Sequence, residues 1–104
     1  MKQFAIDIFR KPTGEFVAGV YDVENDEALF HSEKTRKAAV EFLQTNFKPG
    51  SKSQVYVDHA FDLMPLVERL KKQKHSILKR QVGSGICPYL GKLERKWNLW
   101  LNNF

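Results

Sequence analysis

The sequence predicts a mixed α/β (α+β) domain, in which a three-stranded antiparallel meander is followed by a helix, a parallel strand and a second helix. Apolar residues alternate with a period of two along the first third of the chain, which is typical of strands. The apolar spacing then changes to three or four residues, which is typical of helices that bury one face. A length of 104 residues suits a single domain, residues 1–104.

The first three predicted elements are strands joined by short turns. They cover Lys2–Arg10, Glu15–Val23 and Glu27–His31. Pro12 and Gly14 suit the first connection, because proline presets one turn dihedral and glycine accepts a positive φ. Two short connections in succession predict antiparallel pairing of all three strands.

A helix capped by Ser32 is predicted to run to about Phe47, and Gln54–Asp58 reads as a fourth strand. A strand that returns to a sheet through a helix forms a right-handed crossover. We therefore expect Gln54–Asp58 to lie beside the first strand and parallel to it. A second helix is predicted from about Asp62, with its apolar residues on one side.

The patterns beyond His75 are weaker. Ser76–Val82 fits a short strand, Gly83–Gly85 a loop, and the apolar spacing from Leu90 to Phe104 a short C-terminal helix. The single cysteine, Cys87, excludes an internal disulfide and a cysteine-rich metal site.

The sequence predicts a soluble, intracellular protein, most simply a cytoplasmic one, without a membrane partner. No apolar run approaches the roughly 18 residues that span a bilayer. Asp7 stands where a signal peptide needs its apolar stretch.

The net charge of +5 is unevenly distributed along the chain. Residues 1–64 carry eight basic and ten acidic side chains, whereas residues 65–104 carry nine basic and two acidic ones. A basic half predicts a polyanionic partner, most often nucleic acid; a solvated basic face is the alternative. The candidate nucleic-acid-binding residues are Arg69, Lys71, Lys72, Lys74, Lys79, Arg80, Arg95, Lys96, Trp97 and Trp100.

The two tryptophans at the end of the chain allow three interpretations. Trp97 and Trp100 lie among basic residues and would suit stacking against single-stranded nucleic acid. They would equally close the core beneath the sheet, which is the more common role. They would also suit a contact with a protein partner, where tryptophan and arginine are enriched.

Three aspartates are candidate metal ligands. Asp7 lies inside an apolar strand, where an unpaired carboxylate is costly. Asp58 ends the fourth predicted strand, and Asp62 follows it by four residues. If the two strands are neighbours, these carboxylates converge at one edge of the sheet, where Mg²⁺ or Mn²⁺ would suit them. The alternatives are an edge residue at Asp7 and a helix cap at Asp62.

Two segments resemble a known family. Phe4–Phe9 reads Phe-Ala-Ile-Asp-Ile-Phe, and Tyr56–Asp62 reads Tyr-Val-Asp-His-Ala-Phe-Asp. With the meander and helix between them, they resemble the DEDD-type 3′–5′ exonuclease domain of family-B DNA polymerases, above all the protein-primed branch. The resemblance covers roughly residues 3–72. It implies a ribonuclease-H-like fold, with an exonuclease-like core of about residues 3–82 and a basic, aromatic segment at 83–104.

The resemblance implies that Asp7 and Asp62 are catalytic metal ligands with Asp58 nearby. The sequence departs from the family pattern at Phe9, which replaces a glutamate, and in lacking any aspartate after Asp62. The candidates to supply a missing carboxylate from a different position are Glu41, Asp58 and Glu94. Glu41 lies on the first predicted helix, and ribonuclease H has a helix glutamate in such a site.

Two functions therefore remain open. The first is a small nucleic-acid-binding protein that resembles a Mg²⁺- or Mn²⁺-dependent exonuclease and is either active or degenerate. The second is a module that binds protein and performs no chemistry, such as a phage or viral inhibitor of a host nucleic-acid machine. The missing carboxylates favour the second function, and the buried position of Asp7 favours the first.

Overall fold

The computed structural model describes residues 1–60, 62–79 and 88–103. Within them, five strands form one mixed sheet in the order β3-β2-β1-β4-β5. The strand β2 runs antiparallel to β1 and β3, whereas the pairs β1–β4 and β4–β5 are parallel. The mixed α/β fold class is thus confirmed. The elements are β1 (Lys2–Arg10), β2 (Phe16–Asp22), β3 (Glu27–Glu33), α1 (Arg36–Asn46), β4 (Ser53–Val57), α2 (Met64–Lys72), β5 (Ser76–Lys79) and α3 (Pro88–Leu101).

The strand β1 lies at the centre of the sheet, between β2 and β4. Its residue Phe4 is level with Val55, and Ile6 is level with Val57. The predicted parallel pairing of the first and fourth strands is therefore confirmed. This pairing brings the middle of β1 close to the residues that follow β4, although the two segments are far apart in sequence.

The helices α1 and α2 cover one face of the sheet. The α1 residues Val40 and Leu43 pack with Leu66 and Leu70 of α2 and with Ile6 of β1 in one buried cluster. The spacing of three or four residues on each helix creates the apolar stripe that this face requires.

The start of α1 differs from the prediction. Thr35 caps the helix, because its Oγ1 accepts a hydrogen bond from the backbone N–H of Ala38 at 3.1 Å. The predicted cap, Ser32, instead continues β3, where it is level with Val17 of β2. Strand pairing uses the backbone of Ser32, so the helix can begin only after the next turn.

The helix α3 covers the opposite face, where aromatic side chains meet. Trp97 is buried and stacks on Phe9, with ring centroids 4.8 Å apart. Phe30 lies against both Trp97 and Trp100. Gly19 makes room for this cluster, since a methyl group there would come within 2.9 Å of the Phe9 ring. Trp97 thus packs in the core, as one of the three interpretations expected, and the half-buried Trp100 stacks beside it.

Several sequence predictions fall outside the described residues. They concern Phe61, Arg80, the end of the predicted strand Ser76–Val82, the loop Gly83–Gly85 and Cys87. None of the described helices has the length and apolar character needed to span a membrane.

Candidate metal centre and the cleft beside it

Asp7 is a carboxylate held within the central strand. Its backbone pairs with Gly19 of β2, and only 6% of the residue is exposed. The backbone N–H of Ile8 donates a hydrogen bond to Asp7 Oδ1 at 2.7 Å. Because burial penalises an unpaired carboxylate, this position needs a further partner.

That partner comes from the turn after β4. The backbone N–H of Asp58 still donates to the carbonyl of Ile6 at 3.3 Å, which continues the parallel pairing. The next residue, His59, has a left-handed backbone with φ 51°. Its N–H donates to Asp58 Oδ1 at 2.9 Å. This sharp turn directs the imidazole back toward β1.

The turn brings together three groups that could hold a metal ion. His59 Nδ1 lies 2.6 Å from Asp7 Oδ1. One potential ligand atom each from Asp7, Asp58 and His59 lies within 4.8 Å of the other two. We call these three residues the metal group. Two carboxylates with one imidazole suit Mn²⁺ better than Mg²⁺, which prefers oxygen ligands alone.

The contact between Asp7 and His59 changes the affinity of both groups for protons. Burial raises the pKa of Asp7 to about 6, although its hydrogen bond to His59 acts in the opposite direction. The hydrogen bond to Asp7 raises the pKa of His59 above its usual range. His59 therefore holds its proton more readily than a free imidazole, and a cation bound between the two groups would compete with that proton.

Asp62, which the resemblance assigned to the metal, lies outside this group. Its Oδ2 is 3.9 Å from Arg36 Nε at the start of α1. Asp62 belongs to the turn before α2, which begins at Met64 rather than at Asp62 itself. The structure thus places Asp7 beside Asp58 and His59, and it pairs Asp62 with the guanidinium group of Arg36.

Glu41 is also separate from the metal group. It lies on the exposed side of α1, where it lines a shallow hollow with Asp62 and Pro65. In the structure, Glu41 therefore does not stand beside Asp7 and Asp58 in place of the missing carboxylate.

His59 is the site residue that sequence reasoning missed. With His31 and His75, it is one of three histidines whose spacing in the sequence fits no metal-binding motif. The sequence signal was its place directly after Asp58, at the end of a buried strand. The left-handed turn that aims its ring at Asp7 has no signature in the hydropathy pattern.

A cleft of about 360 Å³ opens beside the metal group at the carboxyl edge of the sheet. Two arginines, Arg10 and Arg36, stand on its wall. Its lining residues are Ile8, Phe9, Arg10, Phe16, Arg36, His59, Asp62 and Trp97.

The predicted basic residues are divided between two edges of the sheet. Lys79 is level with Val57 at the end of β4, on the same edge as the metal group. Lys71, Lys72 and Lys74 are exposed at the end of α2, where the chain turns back into β5 at the opposite edge.

Three other predicted nucleic-acid-binding residues lie elsewhere, two of them with partners within the protein. Arg69 donates to the Gln44 side chain and to the carbonyl of Phe47, which ties α2 to α1. Lys96 lies 3.5 Å from Asp26. Arg95 is exposed on α3.

Comparison with models of protein families and with curated proteins finds no match for the chain.

Proposed function

We propose that this chain is a nucleic-acid-binding protein of ribonuclease-H-like architecture that uses a divalent cation to hold the phosphate backbone. The observation that carries the proposal is the convergence of Asp7, Asp58 and His59 at the carboxyl edge of two adjacent parallel strands. The order of meander, helix, parallel strand and helix is the one that the resemblance to DEDD exonucleases implies.

The donor set supports one cation rather than two. Among the described residues, three ligand groups converge, and Phe9 stands where the family has a glutamate. Hydrolysis by two cations requires a ligand set for each of them. A single Mn²⁺ held by Asp7, Asp58 and His59 would attract and orient a phosphate oxygen. Binding, rather than cleavage, is therefore the function that we propose.

A fluorescent single-stranded oligonucleotide tests the proposal by anisotropy, with Mn²⁺ or with a chelator. We expect affinity to fall at least about tenfold in the chelator and equally in an Asp7→Asn variant. Affinity should also decrease with salt, with a slope of about −0.7 per phosphate contact. Equal binding with Mn²⁺ and with chelator would contradict the role of the cation. Cleavage that needs both Mn²⁺ and Asp7 would instead make the site catalytic.

One surface favours the alternative of a protein-binding module. A groove of about 300 Å³ lies between β3 and α1 and is lined mainly by apolar side chains such as Val20, Leu29 and Phe42. Leu29 is 74% exposed, and exposed apolar grooves often bind protein. Binding of a protein partner that is insensitive to salt and lost in Leu29→Lys would support this second function.

A further inference from the structure

The cleft beside the metal group carries two arginines on one aromatic ring. The Arg36 guanidinium carbon is 5.0 Å from the centroid of the Phe16 ring, and that of Arg10 is 5.5 Å from the same centroid. Both arginines are exposed, whereas Phe16 is half-buried and packs against the core. The ring therefore holds two positive charges at one end of the cleft.

One of these two charges has a carboxylate beside it in the described part of the chain, and the other has none. Arg36 has one carboxylate, Asp62, at 3.9 Å. Arg10 has no carboxylate within 4.0 Å among residues 1–60, 62–79 and 88–103. An anion that contacts both guanidinium groups would be favoured electrostatically. Guanidinium groups suit phosphate in particular, because they donate paired hydrogen bonds to its oxygens.

We infer that Arg10 and Arg36, positioned by Phe16, form a phosphate-binding subsite for the nucleotide next to the one held at the metal group. This inference rests on the proposed function and specifies its ligand as a nucleic-acid backbone. His59 and the two arginines line the same cleft, so one strand would contact both places. The cleft volume of about 360 Å³ lies at the small end of ligand sites, as expected for one nucleotide.

Phe16 is a positioning residue in this proposal. Its ring faces the guanidinium groups and restricts their movement through cation–π contacts. Replacement by leucine keeps an apolar side chain but removes the ring. Replacement by tyrosine keeps the ring.

The experiment compares anisotropy of the same oligonucleotide, in Mn²⁺, for variants that remove equal charge. Arg10→Gln with Arg36→Gln removes two charges at the cleft. Lys71→Gln with Lys72→Gln removes two at the opposite edge and serves as the matched control. We expect a loss of at least about tenfold for the arginine pair and a loss below about threefold for the lysine pair.

Four further measurements make the test specific. The salt slope should become shallower by about 0.7 in the arginine variant, because one fewer phosphate of the single strand is neutralised. Phe16→Leu should weaken binding, and Phe16→Tyr should restore it. Millimolar inorganic phosphate should compete weakly with the oligonucleotide, which distinguishes a backbone site from one for the free ion. The thermal shift by Mn²⁺ should stay unchanged in the arginine variant.

The outcomes separate this inference from the proposed function. Equal losses in the arginine and lysine pairs, in a protein that binds the oligonucleotide, would overturn the subsite alone. A selective loss in the arginine pair, with binding unaffected by chelator, would support the subsite and contradict the role of the cation. Absence of binding by the wild-type protein would overturn both.

Discussion

The burial of Asp7 and its pairing with His59 have opposite effects on the pKa of Asp7. Burial favours the neutral form of Asp7, whereas contact with a protonated imidazole favours its charged form. At 6% exposure, Asp7 has little contact with water. A charged Asp7 is therefore costly in the strand, and a proton or a cation between the two side chains reduces that cost.

The first prediction concerns stability and pH without metal. Burial raises the pKa of Asp7 to about 6. Its contribution to the free energy of unfolding is therefore complete below the ordinary value of 3.8 and is lost as pH rises through 6. The raised pKa of His59 acts in the same direction, with a loss that extends above 6.5. We expect the free energy of unfolding, relative to Asp7→Asn, to fall by up to about 3 kcal/mol between pH 4 and 8.

Urea denaturation of both proteins in chelator, at intervals across that range, measures this difference. Subtraction of the variant removes the titration of distant groups that the two proteins share. A difference that stays constant with pH would show that Asp7 is not a buried, proton-sharing group.

The second prediction concerns the proposed metal ligands. Asp7, Asp58 and His59 lie together in the structure, whereas Asp62 lies apart from them. With Mn²⁺ at a hundredfold excess over its Kd, the wild-type protein should gain about 2.7 kcal/mol, or roughly 10 °C in Tm. Asp7→Asn and His59→Gln should abolish this gain, because each removes a ligand. Asp62→Asn should retain it, since Asp62 pairs with Arg36.

Thermal melts of the four proteins with Mn²⁺ and with chelator give the result directly. If Asp62→Asn lost the stabilisation by Mn²⁺ and His59→Gln kept it, the metal ligand would be Asp62, as the resemblance to DEDD exonucleases implies. The group of Asp7, Asp58 and His59 would then be rejected as the metal site.

At the level of the elements, periodicity predicted the strands better than the ends of the helices. The bounds of β1 agree with the alternating pattern of Lys2–Arg10, because that pattern continues through the whole element. The start of α1 was placed at Ser32 because serine is a good cap in sequence. Ser32 and Thr35 are chemically similar, and only the pairing of β3 with β2 determines which of them caps the helix.

The third prediction uses these two hydroxyl groups as a matched pair. Thr35→Ala removes the cap hydrogen bond to Ala38 and should cost about 1 kcal/mol. The Oγ of Ser32 is buried and has no hydrogen-bond partner in the described part of the chain. Ser32→Ala should therefore be neutral or stabilising by about 1 kcal/mol. Denaturation midpoints that show equal losses for both would contradict the assignment of the cap.

The fourth prediction concerns the packing of β2 against the aromatic cluster. A methyl group at Gly19 would meet Phe9 at 2.9 Å and Phe30 at 3.1 Å. Phe9 cannot move easily because Trp97 stacks on it. Gly19→Ala should therefore destabilise the protein by about 1–3 kcal/mol.

Gly91 on α3 provides the control for Gly19. Nothing lies within 4 Å of a methyl group there, so Gly91→Ala should stabilise the helix by about 0.5–1 kcal/mol. Chemical denaturation measures both changes. Similar effects at the two positions would show that the cluster does not require Gly19.

For the whole molecule, the sheet determines which part of the site was predictable. The parallel pairing of β1 and β4 follows from the order of strands and helices, so the approach of Asp7 to Asp58 could be predicted. The contribution of His59 could not, because it depends on a single left-handed residue. Lys79 and Lys71 lie at opposite edges of the sheet because of the direction of β5. The distribution of charge along the sequence does not show that direction, so this separation could not be predicted either.

The central position of β1 also affects the order in which the molecule assembles. Its pairing with β2 joins segments linked by a short turn, whereas the contact of Asp7 with His59 spans 52 positions. Closing so long a loop costs chain entropy, so distant strands usually pair more slowly than neighbouring ones. A folding chain would thus form the meander before β4 docks. Cation binding would then report that β4 has docked on β1, the strand pairing that closes the longest loop in the sheet.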